Sequence, residues 1–98
     1  MPTAGFDSDK QEEFVTAGLK DSRTQEFKCV TSIGGIGKVA GDKFKADGIE
    51  FAYNLVGQFM VFCCDEDLMD EYLATYITQS NRRASAVKTV RMWCDRQL

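Results

Sequence analysis

An all-α fold in a single domain is what this 98-residue sequence predicts, and three observations carry the prediction. Apolar residues recur at helical spacing through the segments 51–63, 65–76 and 83–97. The one proline is Pro2, so no later segment loses a helical hydrogen bond to a pyrrolidine ring. Glycines punctuate the chain at Gly18, from Gly34 to Gly37 and at Gly48, next to the periodic segments. Hydrophobic content of 44%, with 11% aromatic, is enough for one core, and the length is too short for two domains.

In chain order, residues 1–8, "MPTAGFDS", predict a flexible N-terminal arm, and 9–98 the single helical domain. Ser8 or Asp9 caps a first helix carrying Phe14, Val15 and Leu19, whose end Gly18 weakens. Residues 19–28 are polar and read as a loop leading into a short helix near 27–33. A helix over 38–47 stops at Gly48, the residue a left-handed C-cap favours. Segment 51–63 places Ala52, Leu55, Val56, Phe59, Met60 and Cys63 on one helical face, yet Phe51, Val61 and Phe62 populate the other. Such a helix must be covered nearly all round, which a second subunit would do. A buried strand and the central core helix of a monomer are the alternatives. Gly57, in mid-segment, costs a helix roughly 1 kcal/mol relative to alanine, which fits close approach by another backbone or a bulky side chain. The next helix, 65–76, carries a stripe of Leu68, Met69, Tyr72, Leu73 and Tyr76, with Asp65, Glu66 and Asp67 where the helix dipole favours acids. The last, 83–97, turns Val87, Val90, Cys94 and Leu98 inward, with Trp93 as a core residue whose indole N–H is expected to find a partner at the edge.

Charge is uneven. The net formal charge is −3, mildly against a general polyanion binder, but Arg82, Arg83, Lys88, Arg91 and Arg96 gather near the C-terminus, while "DEDLMDE" at 65–71 is acidic. Counting an EF-hand loop from Asp65 puts Asp70 and Tyr76 where glycine and glutamate are required, which excludes it. Four cysteines, Cys29, Cys63, Cys64 and Cys94, without a CxxC pair or any histidine, read as reduced packed thiols rather than a zinc site. No group of nucleophile, base and orienter is legible, so the chain is expected to be neither an enzyme nor a cofactor carrier. The opening lacks a basic-then-apolar leader, and the apolar run near 51–64 is too short and interrupted to span a bilayer, predicting a cytosolic or nuclear compartment.

The most suggestive stretch is "SIGGIGKVAGDKF". Its Gly35-Ile36-Gly37 step permits a sharp turn with Ile36 anchored in the core and no side chain obstructing a close approach. The following helix starts at Lys38 with free N–H groups and a positive dipole end, and Lys38 and Lys43 add charge. This is the logic of a helix-hairpin-helix, which grips a DNA backbone without reading bases. A packed helical turn that binds nothing is the other reading.

Four ordered blocks, "VTSIGGIGKVAGDKF", "AYNLVGQFMVF", "DEDLMDEYL" and "RMWCD", together resemble the barrier-to-autointegration factor family, small helical DNA-bridging components of metazoan chromatin and the nuclear envelope. The likeness runs from about Cys29 to Leu98, and more weakly through "DKQEEFV" at 9–15. It implies a compact five-helix, SAM-like domain that dimerises, with Gly57 and Leu68 at positions important for association beside Val56 and Met60. It implies sequence-nonspecific binding to double-stranded DNA through Gly35, Gly37, Val39 and Ala40, with Lys10, Arg82 and Arg83 as cations and one duplex per subunit. It further implies a groove on the dimer for LEM-domain proteins of the inner nuclear membrane, phosphoregulation at Ser8, and a location in nucleus and cytoplasm with chromatin or envelope association.

The chain departs from the family where Gln11 and Glu12 replace a His-Arg pair, where Cys63 and Cys64 replace two lysines, and across 17–28, which gains about six residues and loses a proline. Two function classes follow. One is a DNA-bridging dimer. The other is a divergent paralogue with weak or no DNA binding, acting as a protein-interaction module that pairs with itself or a family member.

Overall fold

The computed structural model describes residues 14–15, 18–21 and 24–97. Among these, a 3₁₀ turn at Val30–Ser32 precedes four α-helices: α1 Lys38–Ala46, α2 Ala52–Val61, α3 Glu66–Leu73 and α4 Ser80–Gln97. Phe14 and Val15 are helical and buried. The rest of the predicted first helix up to residue 13, the N-terminal arm, Ser8 and Lys10 lie outside the described residues. Among the described residues the fold is helical, as predicted, with four α-helices and the 3₁₀ turn where five helices were expected.

Each boundary has a local cause. α1 closes on Gly48 at φ +83°, whose N–H donates to the Lys45 carbonyl while that of Ile49 reaches back to Phe44. These two bonds make a Schellman motif. α2 ends in the same pattern, Cys63 N–H to Met60 O and Cys64 N–H to Phe59 O, so it stops at Val61, short of the predicted 63. Here two cysteines occupy the left-handed region, at φ +57° and +60°. α3 begins where Asp65 accepts hydrogen bonds from the Asp67 and Leu68 N–H groups, at 2.9 and 3.1 Å. Asp65→Ala is therefore expected to cost about 1 kcal/mol, seen as a melting point lower by roughly 4–8 °C in thermal denaturation. α4 starts at Ser80 rather than 83, because the Gln79 carbonyl accepts from Arg82 and Arg83 N–H, both at 3.1 Å.

The segment expected to be a loop is ordered differently. Lys28 N–H donates to Leu19 O and Asp21 N–H to Glu26 O, giving a small antiparallel hairpin turned at Gln25, φ +63°. Phe27 from this hairpin meets Tyr53 and Phe51 edge-on, with ring centroids 5.0 and 6.2 Å apart. The short helix predicted near 27–33 shrinks to the 3₁₀ turn.

Ala52, Leu55, Val56 and Phe59 of α2 form the central buried stripe, joined by Ile33, Ile36, Phe44, Met69, Leu73 and Val90. Trp93 lies in this core, yet its buried Nε1 has no hydrogen-bond partner among the described residues.

Candidate nucleic-acid interface

The glycine step is built onto the last helix. Ile33 before it and Ile36 within it are fully buried and pin the turn to the core. Gly35 has φ +86°, and a β-carbon there would overlap the Arg82 carbonyl oxygen and approach the Ala86 nitrogen to 3.1 Å. Only glycine lets this backbone lie against the first turn of α4.

Gly37 is the N-cap of α1 and supplies no side-chain cap. The first intrahelical bond is Gly41 N–H to Gly37 O, 2.8 Å, leaving the Lys38, Val39 and Ala40 N–H groups without an intrahelical partner. A β-carbon on Gly37 would stand 3.5 Å from Arg82 Nη1, so the Arg82 guanidinium flanks the helix start.

These groups line one groove of about 320 Å³. Gly35, Gly37, Lys38, Val39, Ala40 and Lys43 form one wall, and Tyr76 to Gln79 with Arg82 form the other. Val39 is 73% exposed at the rim, whereas Ala40 is buried and offers its backbone only. Lys38 is partly neutralised by Asp42 at 3.0 Å, both side chains open to solvent. Lys43 and Arg82 have no acidic partner within ion-pair distance among the described residues. A positive helix end and two unpaired cations suit an anionic chain.

Arg83 is not part of this set. Its Nε donates to Asp70 Oδ1 at 3.0 Å and its Nη1 to the Ile77 and Thr78 carbonyls at 3.0 and 3.1 Å, with the side chain only 18% exposed. The expectation of Arg83 as a DNA-contacting cation meets a different placement: it does not line the groove, and its Nε and Nη1 donors go to acceptors within the protein. The far wall was missed altogether, since Tyr76, Ile77, Thr78 and Gln79 carry neither charge nor a motif. Tyr76 is held there by stacking on Phe44, centroids 4.1 Å apart, and by donating its hydroxyl to Asp47 Oδ2 at 2.6 Å. That hydrogen bond, with burial, pushes the phenol pKa well above its usual value.

The family model described as "Barrier to autointegration factor" matches residues 6–97 of this chain. The chain belongs to the barrier-to-autointegration factor family. It is 35% identical to human barrier-to-autointegration factor over 89 residues, 90% of this chain and 93% of the relative. Identity is 36% to barrier-to-autointegration factor 1 of Caenorhabditis elegans, covering 88% and 91%, and 32% to the zebrafish (Danio rerio) protein, covering 90% and 92%.

In this member of the barrier-to-autointegration factor family the second surface of interest lies on α2 and α3, which pack on each other. Met60, Val61 and Leu68 are 42%, 74% and 44% exposed. A β-carbon on Gly57 would meet nothing within 4 Å. Val56 does not belong with them: at 1% exposure it is core, so its assignment to a dimer surface is corrected, the helical rotation having carried it inward. The predicted inward stripe of the next helix is also revised, since Leu68 faces out while Met69 and Leu73 are buried.

Proposed function

We propose that this protein is a sequence-nonspecific, non-enzymatic binder of double-stranded DNA that dimerises and so bridges duplexes, acting in chromatin organisation and nuclear-envelope association. The supporting observation is the groove itself, where the uncapped start of α1, Lys43 and Arg82 converge. Such contacts hold phosphates and read no bases. Lys10 is proposed to add a further contact, and phosphorylation at Ser8 to weaken binding by charge repulsion. Dimerisation through Gly57, Met60 and Leu68 gives the assembly its second groove. No helix among the described residues is long and apolar enough to cross a membrane, so envelope association would run through protein partners such as LEM-domain proteins.

The test is fluorescence anisotropy of an arbitrary duplex titrated with protein at several salt concentrations. Affinity should be indifferent to sequence and fall steeply with salt. Arg82→Ala should reduce the slope of log affinity against log salt by about 1.

The second reading, a protein-interaction module dimerising with itself or a family member, is favoured by specific charge losses: Asp42 on Lys38, Asp70 on Arg83, and Cys63 and Cys64 in place of cations. Absence of duplex binding even at low salt would establish it over the first.

A further inference from the structure

We propose that Arg83 is a positioning residue for the groove: it touches no duplex, but ties the wall formed by Tyr76–Gln79 to α3 and α4 so that Arg82 and the start of α1 stand at a fixed separation. This rests on the duplex-binding reading above. The wall is a connector between two helices, joined to α3 by the Tyr76 and Ile77 N–H groups, both returning to Leu73 O, and to α4 by the Gln79 carbonyl, which accepts from the Arg82 and Arg83 N–H groups. Arg83 gathers the Ile77 and Thr78 carbonyls through Nη1 while Nε holds Asp70 on α3, three bonds from one planar group to two elements. A guanidinium offers this fork with a fixed geometry, and an ammonium does not. The neighbouring Arg82 follows the same first turn of α4, whose carbonyl seats against Gly35. Loss of the fork therefore frees the wall and the α4 start together, widening the groove without removing a phosphate contact.

The experiment compares Arg83→Ala, Arg82→Ala and Asp70→Asn by duplex anisotropy against salt, and by amide hydrogen exchange of the free proteins. Arg83→Ala should weaken binding by about tenfold while leaving the salt slope unchanged, whereas Arg82→Ala should lower the slope by about 1. Asp70→Asn retains an acceptor for Nε and should bind nearly as the parent. A core variant such as Val90→Ala, which loses stability away from the groove wall, should keep its affinity, separating positioning from general destabilisation. Exchange at the Ile77 and Arg82 amides should accelerate in Arg83→Ala. A flattened slope for Arg83→Ala would show that Arg83 itself meets phosphate, and unchanged affinity would show that the wall needs no tie; either overturns the proposal. If the parent protein binds no duplex, the function reading fails instead, and unaltered exchange at Ile77 and Arg82 would still overturn the tie.

Discussion

Gly35→Ala should unfold the domain, or lower its melting temperature by roughly 10–25 °C, the equivalent of about 3 kcal/mol in a domain of this size. Two costs add at this position. A non-glycine residue in the left-handed region costs roughly 1–2 kcal/mol by itself. The added β-carbon would also overlap the Arg82 carbonyl oxygen, which is backbone of the longest helix and has no rotamer by which to move aside. Gly48 separates the two terms. It has φ +83° but open space around it, so Gly48→Ala should show the conformational cost alone, about 1 kcal/mol. Circular dichroism melts of the two variants check this, and equal losses would mean that the hairpin does not seat on α4 as described. A consequence is that a substitution at Gly35 cannot serve as a clean probe of DNA contact, because it removes the site by removing the fold. Arg82, which reaches the groove by its side chain, is the cleaner probe.

Much of this arrangement was legible from residue types because it depends on backbone geometry. Gly48 as a stop, Asp65 at a helix start and Ile36 as the anchor of the turn each follow from local rules. The convergence of Gly35, Gly37, Lys38, Val39, Ala40, Lys43 and Arg82 on one groove came from motif and resemblance together. What escaped is what tertiary contact decides. Arg82 and Arg83 are adjacent and identical in type, and only the position of Asp70 and two carbonyls shows that one faces the groove while the other is spent inside. The hairpin at 19–28 is held by backbone bonds and by Phe27 against Tyr53, a pairing across more than twenty residues that no local pattern announces. On α2, helical spacing grouped Val56 with Met60, but the position of the core relative to the helix axis buries one and exposes the other.

The net charge of −3 likewise misleads if taken whole. Asp65, Glu66 and Asp70 are on α3 or its cap, where Asp65 caps the helix and Glu66 and Asp70 pair with Arg91 and Arg83. The groove keeps Lys43 and Arg82 unpaired among the described residues. Charge placement, rather than the sum, sets what this surface can hold.

Substitution of Gly57 should reveal the oligomeric state by its sign. Within a single chain a β-carbon at Gly57 meets nothing within 4 Å, so Gly57→Ala in a monomer should stabilise α2 by roughly 1 kcal/mol through helix propensity alone. In a dimer whose partner backbone lies close to that position, the same methyl must push the subunits apart. Stability should then fall, and fall further on dilution, since folding and association are linked. Gly57→Glu should abolish association outright by placing a charge among Met60, Val61 and Leu68, whose exposure of 42%, 74% and 44% is otherwise an aggregation liability. Sedimentation should show the parent at twice the mass of one chain and Gly57→Glu at the mass of one. Leu68→Ala, which leaves the α2 backbone untouched, should weaken the dimer without unfolding the chain. An increase in stability with Gly57→Ala, or an undisturbed mass with Gly57→Glu, would mean that no second subunit covers this face, and bridging of two duplexes would then lose its physical basis.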